Sequence, residues 1–217
     1  MRVGDLVTMR AAAVELHGDL LAGKALDNRA SVVAAAVCLE TLGQMRHTWD
    51  VYAVVTVQEE VGVKGAITSA YALDPHVGIA VDVTFGKQPN TPDERTFDLG
   101  KGPVIAIGPN YHPKIQQALV DAAQSIEMSY QIEPDERPGG TDAYALQITR
   151  QGVPTGLISI PLRNMHTPVE TVSVKDVERV GRLLATFAAR LDANFLDSLA
   201  WDLGLDKDDP TSGLDTE

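Results

Sequence analysis

Val51-Tyr52-Ala53-Val54-Val55-Thr56-Val57-Gln58-Glu59-Glu60 is an apolar run that ends in two adjacent acids. Five of the seven residues from Val51 to Val57 are β-branched, so we predict a buried strand over residues 51–58. Carboxylates at the tip of a buried strand need a cation or water. Because open α/β sheets bind ligands beyond the carboxyl ends of their strands, one acid could hold a metal and the other act as a general base. Two solvated acids at the start of a loop are the alternative.

The rest of the chain alternates strands with helices. We predict further strands at residues 6–9, 13–16, 20–21, 77–83, 104–107 and 156–160. We predict a helix at 27–42 with Asp27 and Asn28 as capping residues, a helix that follows a bend at residues 62–65 and ends at about residue 73, a helix at 113–127, a helix opened by residues 138–143, and a helix at 174–199. This order predicts the α/β class, with a three-layer arrangement in which a mostly parallel sheet is flanked by helices. We expect one catalytic domain over residues 1–200 and a disordered acidic tail over residues 206–217.

Composition narrows the class of protein. The formal net charge of −12 argues against nucleic acid as a partner. No stretch has the length of a membrane span or the apolar core of a signal peptide, so the expected location is cytoplasmic, with no membrane partner. The single cysteine, Cys38, lies in an apolar helical run, which favours a buried structural thiol over a reactive one.

Several polar side chains fall at the ends of predicted strands or the start of a helix. They are Asp27, Glu59, Glu60, Asp82 and His166. Parallel strands share one carboxyl edge, so these side chains could converge there. Taken singly, each has an ordinary alternative as a helix cap, a turn acid or a loop histidine. Taken together, carboxylates and an imidazole suit Zn²⁺, Mn²⁺ or Co²⁺, and the surplus of acids suits a two-metal site.

Five motifs occur in an order that resembles a known family. They are Gly23-Lys24-Ala25-Leu26-Asp27-Asn28-Arg29, Val57-Gln58-Glu59-Glu60-Val61-Gly62, Ile79-Ala80-Val81-Asp82-Val83-Thr84, Gly140-Thr141-Asp142-Ala143 and Met165-His166-Thr167-Pro168-Val169-Glu170. The set resembles the glutamyl aminopeptidases and deblocking (tetrahedral) aminopeptidases, which are di-metal peptidases. The resemblance extends to about residue 195 and implies a di-zinc aminopeptidase-like catalytic domain.

The resemblance also implies roles for single residues. Asp27 would bridge two divalent ions, Zn or Co. Glu60 and His166 would complete one ion's ligands, and Asp82 would serve the other ion. Glu59 would be the general base that takes a proton from the attacking water. Thr141 and Asp142 match a family motif, but the sequence assigns them no role.

The chain departs from the family pattern at its start. The family's early His-x-Asp motif, which supplies a histidine to the second metal, and most of its inserted dimerisation domain have no counterpart here. We therefore expect weaker metal binding at the Asp82 site, with one ion retained, and an exposed sheet edge or apolar patch. We also expect a homo-oligomer, but not one assembled through the family's dimerisation domain. His17-Gly18-Asp19 has the His-x-Asp spelling, although a hairpin turn is the favoured interpretation. A histidine from another chain is the other possible source.

Two functions remain open from the sequence. The first is a metal-dependent aminopeptidase that removes N-terminal residues from peptides by means of a metal-activated water. The alternative is a catalytically impaired fragment or degenerate paralogue that keeps the fold and at most one metal. A glycosidase is disfavoured, because adjacent Glu59 and Glu60 cannot flank a glycosidic bond at the roughly 5–9 Å spacing which that chemistry requires.

Overall fold

One seven-stranded sheet organises the chain in this computed structural model, which describes residues 1–137 and 139–200. The strands are β1 Val14–Glu15, β2 Leu20–Gly23, β3 Gly78–Phe85, β4 Val104–Ile107, β5 Gln131–Pro134, β6 Thr155–Arg163 and β7 Glu170–Ser173. Their order is β1-β2-β7-β6-β4-β5, and β3 pairs with the other edge of β6. The nine-residue β6 is therefore the centre of the sheet.

Strand direction in the sheet is mixed. The longest pairing, β3 with β6, is parallel and joins eight residues of each strand, and β4 with β5 is also parallel. The pairings β1–β2, β2–β7, β4–β6 and β6–β7 are antiparallel. The predicted α/β class, a sheet flanked by helices, is confirmed. The sheet is mixed rather than mostly parallel, because four of its six pairings are antiparallel: β2 and β7 return the chain along the sheet, and β4 runs opposite to β6.

Helices cover both faces of the sheet. They are α1 Leu26–Leu42, α2 Lys64–Leu73, α3 Pro113–Ser125, α4 Asp142–Gln147, α5 Val174–Arg190 and α6 Phe195–Leu199. Successive strand residues point to opposite faces. Ile158 and Ile160 of β6 pack in the larger core with side chains of α1, α3 and α5, whereas Leu157 packs in a smaller core with Ala143 of α4. The sheet thus lies between two helical layers.

The α1 and α5 helices approach each other unusually closely at Gly181. A Cβ atom added at Gly181 would lie 2.6 Å from both the Ala34 carbonyl oxygen and the Val37 Cβ. Real side chains do not tolerate that distance, so only glycine fits here. Cys38 is buried beside this contact, and burial raises the pKa of its thiol to about 11. The prediction of a buried structural thiol is confirmed.

The prediction of a buried strand at residues 51–58 is wrong. The structure assigns no strand there, and Val55 and Val57 are 65% and 66% exposed. Within the described residues, no strand pairs with this segment; the Val57 carbonyl accepts a hydrogen bond from Gly65 N at 2.9 Å. High β propensity does not make a strand without a neighbour, because strand stability comes from cross-strand pairs. The segment instead exposes several large apolar side chains to solvent.

The predicted and observed elements also differ at shorter segments. Residues 6–9 are exposed and form no strand, whereas short β5 and β7 were not predicted and find partners in β4, β2 and β6. The predicted helix 174–199 ends at Arg190, and α6 follows as a separate turn. The expected acidic tail lies outside the described residues. Nowhere in the described part of the chain is a helix both long and apolar enough to cross a membrane.

Candidate metal centre

Three separate turns bring Asp27, Glu60 and His166 together. Asp27 lies in the first turn of α1, Glu60 in a 3₁₀ turn over Glu59–Val61, and His166 in the turn between β6 and β7. The potential ligand atoms of the three side chains all lie within 4.8 Å of one another. Of the five predicted site residues, these three form the tight cluster.

The imidazole is the centre of that cluster. His166 Nε2 lies 3.3 Å from Asp27 Oδ2 and 3.5 Å from Glu60 Oε2. The Asp27 side chain is 9% exposed, whereas those of His166 and Glu60 are open to solvent. The His166 backbone has a φ of 61°, in the left-handed region that non-glycine residues rarely adopt and that is common at functional sites.

Glu170, the first residue of β7, fixes two members of the cluster. Its Oε2 accepts a hydrogen bond from Asp27 N at 3.0 Å, and its Oε1 accepts one from His166 N at 3.0 Å. The side chain is 3% exposed, so both bonds are shielded from water. Glu170 therefore holds the α1 start and the β6–β7 turn at a fixed separation. We assigned no role to this residue from the sequence, although it ends one of the quoted motifs.

Asn28 connects Asp82 to the same cluster. Its Nδ2 donates to Asp82 Oδ1 at 2.8 Å and to the Val81 carbonyl at 3.1 Å, while its Oδ1 accepts from Ser31 N at 3.2 Å. Asn28 thus provides the helix cap predicted at this point. Asp82 is not part of the tight cluster, and the Asn28 amide lies against its carboxylate. From its place at the start of a predicted helix, Asn28 was expected only to cap α1.

The site carries an excess of partly buried negative charge. Burial raises the pKa of Asp27 to about 6, and the neighbouring Glu60 and Glu170 carboxylates add to the rise while His166 opposes it. Burial raises the pKa of Asp82 to about 7; the Val83 N–H opposes this, and Glu59 and Asp27 add to it. Burial also raises the pKa of Glu59 to about 7, and repulsion from the Asp142 and Glu60 carboxylates adds a smaller rise. A cation would relieve this repulsion.

Asp142 completes the acidic rim. Its Oδ2 accepts a hydrogen bond from Thr56 at 2.6 Å, whereas its Oδ1 is buried and has no hydrogen-bond partner among the described residues. Burial raises the pKa of this carboxyl. Thr141 caps α4 by accepting a bond from Ala143 N at 3.3 Å. Thr141 is therefore a structural cap, and Asp142 presents an unsatisfied oxygen near Glu59.

These residues fit a divalent cation. Carboxylate oxygens and an imidazole nitrogen are ligands for Zn²⁺, Mn²⁺ and Co²⁺. Mutual repulsion among the acids and the unpartnered Asp142 oxygen indicate that positive charge is needed here. His17 does not contribute a ligand to this cluster. It is exposed in the β1–β2 turn, before Leu20 at the start of β2, whereas the other end of β2, Gly23, pairs with Glu170 beside the cluster. The interpretation of His17-Gly18-Asp19 as a hairpin turn is confirmed.

A cavity of about 330 Å³ adjoins the acidic rim. Glu59, Glu60 and Val63 contribute to one wall, and Gly139, Thr141 and Tyr144 contribute to the other. Glu59, the predicted general base, therefore lies between the cluster of Asp27, Glu60 and His166 and a space large enough for an amino-acid side chain. Neither its walls nor its volume could be predicted from the sequence, because the two walls are far apart in the chain.

Comparison with known proteins identifies relatives of the whole chain. The model of the M42 glutamyl aminopeptidase family matches residues 1–183. A lysyl aminopeptidase from Pyrococcus furiosus is 42% identical over 182 residues, which cover 84% of this chain and 52% of that protein. The structure of an aminopeptidase from the archaeon Desulfurococcus kamchatkensis superposes with a TM-score of 0.79 at 37% identity, and the match covers 88% of this chain and 55% of that one.

A third relative is known for its assemblies. The TET1 peptidase of Pyrococcus horikoshii, which can assemble into a tetrahedron or a large octahedral shell, matches with a TM-score of 0.70 at 31% identity. The match covers 83% of this chain and 53% of that chain. The chain thus spans about half the length of the relatives it matches.

Proposed function

The chain belongs to the M42 glutamyl aminopeptidase family, and on that premise we propose that it removes N-terminal residues from peptides with the help of divalent metal ions. The observation that carries this proposal is the convergence of Asp27, Glu60 and His166 beside Glu59 at the mouth of a cavity. Peptides are the proposed substrates, since the cavity is open and of side-chain size.

We assign the ligand roles as follows. Asp27, Glu60 and His166 would hold one ion, and Asp82 together with Asp27 would hold a second, more weakly bound one. The ions proposed are Zn²⁺ or Co²⁺, which such a donor set does not distinguish. When bound, a divalent ion in such a centre lowers the pKa of a coordinated water and polarises the scissile carbonyl. Glu170 and Asn28 keep the ligands in place through their hydrogen bonds to Asp27, His166 and Asp82.

Glu59 is the proposed general base. It accepts the proton of the attacking water and passes it to the leaving amine, a role that suits a carboxylate next to the proposed ligand Glu60 at the wall of the cavity. Burial and the neighbouring acids raise the pKa of Glu59 to about 7 in the cation-free chain, and a bound ion would lower it. Asp142, the second-largest influence on this pKa, helps to set the charge around Glu59.

Hydrolysis of aminoacyl coumarin amides by the chain loaded with Zn²⁺ or Co²⁺ tests the proposal. We expect turnover that chelation abolishes. Glu59→Gln should lower kcat by at least roughly 100-fold, because the loss of a general base typically reduces rates by that factor or more, and metal content should remain that of the unaltered chain. An unchanged rate in Glu59→Gln would remove Glu59 from the mechanism, and no hydrolysis of any aminoacyl amide would contradict the proposed function itself.

Assembly and location extend the proposal. We propose that the chain forms homo-oligomers in the cytoplasm; assembly is supported by the relationship to the Pyrococcus horikoshii peptidase. The exposed valines of residues 51–57 provide apolar surface for such contacts. Light scattering of the purified chain would test this: a mass of one chain across the micromolar range would contradict it.

A further inference from the structure

Strand β3 forms one edge of the sheet, because it pairs with β6 on one side and with no described strand on the other. We propose that this open edge binds an additional strand from a second polypeptide, which runs parallel to β3, is apolar on both faces and has a basic residue at its carboxyl end. Such a strand would bind whether or not the chain hydrolyses peptides, since the groups that bind it belong to the backbone of β3.

Alternate residues of β3 direct their backbone groups toward the open edge. Gly78 N donates to the Pro154 carbonyl at 3.0 Å, so Gly78 and the even-numbered residues after it face β6. The backbone groups of Ile79 and Val81 therefore face outward. In the part of the chain that the structure describes, no oxygen accepts a hydrogen bond from Ile79 N or Val81 N. Unpaired N–H groups in a row are a template for another strand.

The carboxyl end of the same edge is already occupied by side chains. Val83 N donates to Asp82 Oδ1 at 2.8 Å, and Asn28 Nδ2 donates to the Val81 carbonyl at 3.1 Å. Both bonds use backbone groups that would otherwise pair with a strand. An added strand can therefore form a ladder with β3 only as far as Val81, and it must end beside Asp82.

Both faces of the added strand would be buried. Side chains of β3 enter the two cores in turn: Ile79 and Val81 pack against the larger core, and Ala80 lies in the smaller one. A neighbouring strand in a sheet covered on both faces extends the same two layers. It therefore needs apolar residues throughout, as buried parallel strands have.

Residues 51–57 lie near this edge and offer more apolar surface. Thr56 Oγ1 donates to Asp142 Oδ2 at 2.6 Å, and Asp142 begins α4, whose Ala143 packs with Ala80 of β3. Most of the large apolar side chains in this segment are well exposed. A strand bound to β3 can cover part of this surface, and the loss of apolar contact with water favours binding.

Charge selects the chemistry of the strand's carboxyl end. Asp82 lies where the added strand must end, and Asp27, Glu59 and Asp142 are near enough to repel its carboxylate. Among the described residues, no lysine or arginine forms an ion pair with any of these acids. A basic residue is therefore attracted to this end. A second copy of this chain, with a formal net charge of −12, fits it less well.

A short peptide of this chemistry tests the open edge. The probe is fluorescein-labelled Lys-Thr-Val-Ile-Val-Lys-Lys, and the control peptide has the same side chains but is N-methylated at its central residues. Anisotropy titrations with the metal-free chain should show binding of the probe and at least about tenfold weaker binding of the control, which cannot form the ladder. No binding of the probe, or equal affinities for the two peptides, would overturn the proposed strand site.

A proline variant removes one donor from the edge. Val81→Pro lacks the outward N–H group but keeps the hydrogen bonds that β3 makes with β6, and it should bind the probe at least about tenfold less tightly. Val3→Pro, in the exposed segment before β1, is the matched control and should bind the probe as the unaltered chain does. Equal weakening in both variants would contradict pairing at β3.

Hydrogen exchange of the unaltered chain locates the bound strand even if Val81→Pro fails to fold. Saturating probe should slow exchange of the Ile79 and Val81 amides by at least about tenfold, while the Ala80 and Asp82 amides, which face β6, serve as internal controls and should not change. Unchanged exchange at Ile79 and Val81 would overturn the site. Protection that rises with protein concentration without probe would show that a second copy fills the edge, which also contradicts the proposed partner.

Discussion

Two regions that both contain apolar and β-branched residues adopt opposite environments in this molecule. Strand β6 has three β-branched residues among nine, and the segment 51–57 has five among seven. Ile158 and Ile160 of β6 are fully buried between strands and helices, whereas Val55 and Val57 are about two-thirds exposed. The difference lies in the neighbours: β6 pairs with β3, β4 and β7, and no described strand pairs with residues 51–57. Composition alone therefore does not make a buried strand; pairing partners do.

The largest expected effect contrasts these two regions directly. Ile160→Ala removes a fully buried side chain from the centre of the sheet and should lower the free energy of unfolding by about 2–5 kcal/mol. Val55→Ala removes an exposed side chain and should change it by less than about 0.5 kcal/mol. Urea unfolding of both variants measures the contrast. Similar losses in the two would show that residues 51–57 are packed in solution, which would contradict the comparison.

A smaller effect concerns the residue that joins β7 to the metal-ligand cluster. In Glu170→Gln, one of the two acceptor oxygens becomes an NH₂ group that faces a backbone N–H. The affinity for Zn²⁺ should fall by roughly 10- to 100-fold, as is typical when a residue supporting metal ligands is lost. Competition with a chromophoric chelator measures this. Glu178→Gln, on the exposed side of α5, is the matched control, and equal affinities of the two variants would remove Glu170 from the account.

The smallest expected effect is a pH dependence of the free energy of unfolding, which arises from the acids of the site and not from the apolar core. The pKa values of Asp27, Asp82 and Glu59 are raised to about 6, 7 and 7 in the folded, cation-free chain, against about 4 when unfolded. Between pH 4 and 7 the folded chain thus binds more protons, so the free energy of unfolding falls as pH rises through this window.

Thermal unfolding in chelator at pH 5 and pH 7.5 tests that dependence. We expect the loss on raising the pH to be larger in the unaltered chain than in Asp82→Asn, by roughly 1–2 kcal/mol. Excess Zn²⁺ should restore stability at the higher pH, because a ligand that binds the folded state stabilises it. An identical pH dependence in the two chains would contradict the buried-charge description of Asp82.

Local patterns predicted those elements whose signals are local. The strands β3, β4 and β6 and the helices α1 and α3 follow from apolar runs, capping residues and turn residues nearby in the chain. Residues 51–58 were misjudged because a strand needs a partner, which composition does not reveal. The short β5 and β7 were missed for the converse reason, since each is a strand by virtue of its partner in the sheet.

The residues of the site likewise include some that the sequence identifies and others that only the folded structure reveals. The acids and the histidine at strand and helix ends could be identified from the sequence, and the structure brings Asp27, Glu60 and His166 together. Glu170 was not identified, because its action on Asp27 spans 143 residues and uses backbone N–H groups that carry no sequence signal. Asn28 was taken as a cap, and its second bond, to Asp82, depends on tertiary packing.

The central claim is that these side chains form a metal centre, and calorimetric titration of the metal-free chain with Zn²⁺ tests it most directly. We predict a tight site that Glu60→Gln weakens by at least about 100-fold and a weaker site that Asp82→Asn removes, while Glu40→Gln, exposed on α1, leaves both unchanged. Zinc binding of equal strength in Glu60→Gln and in the unaltered chain would contradict the account.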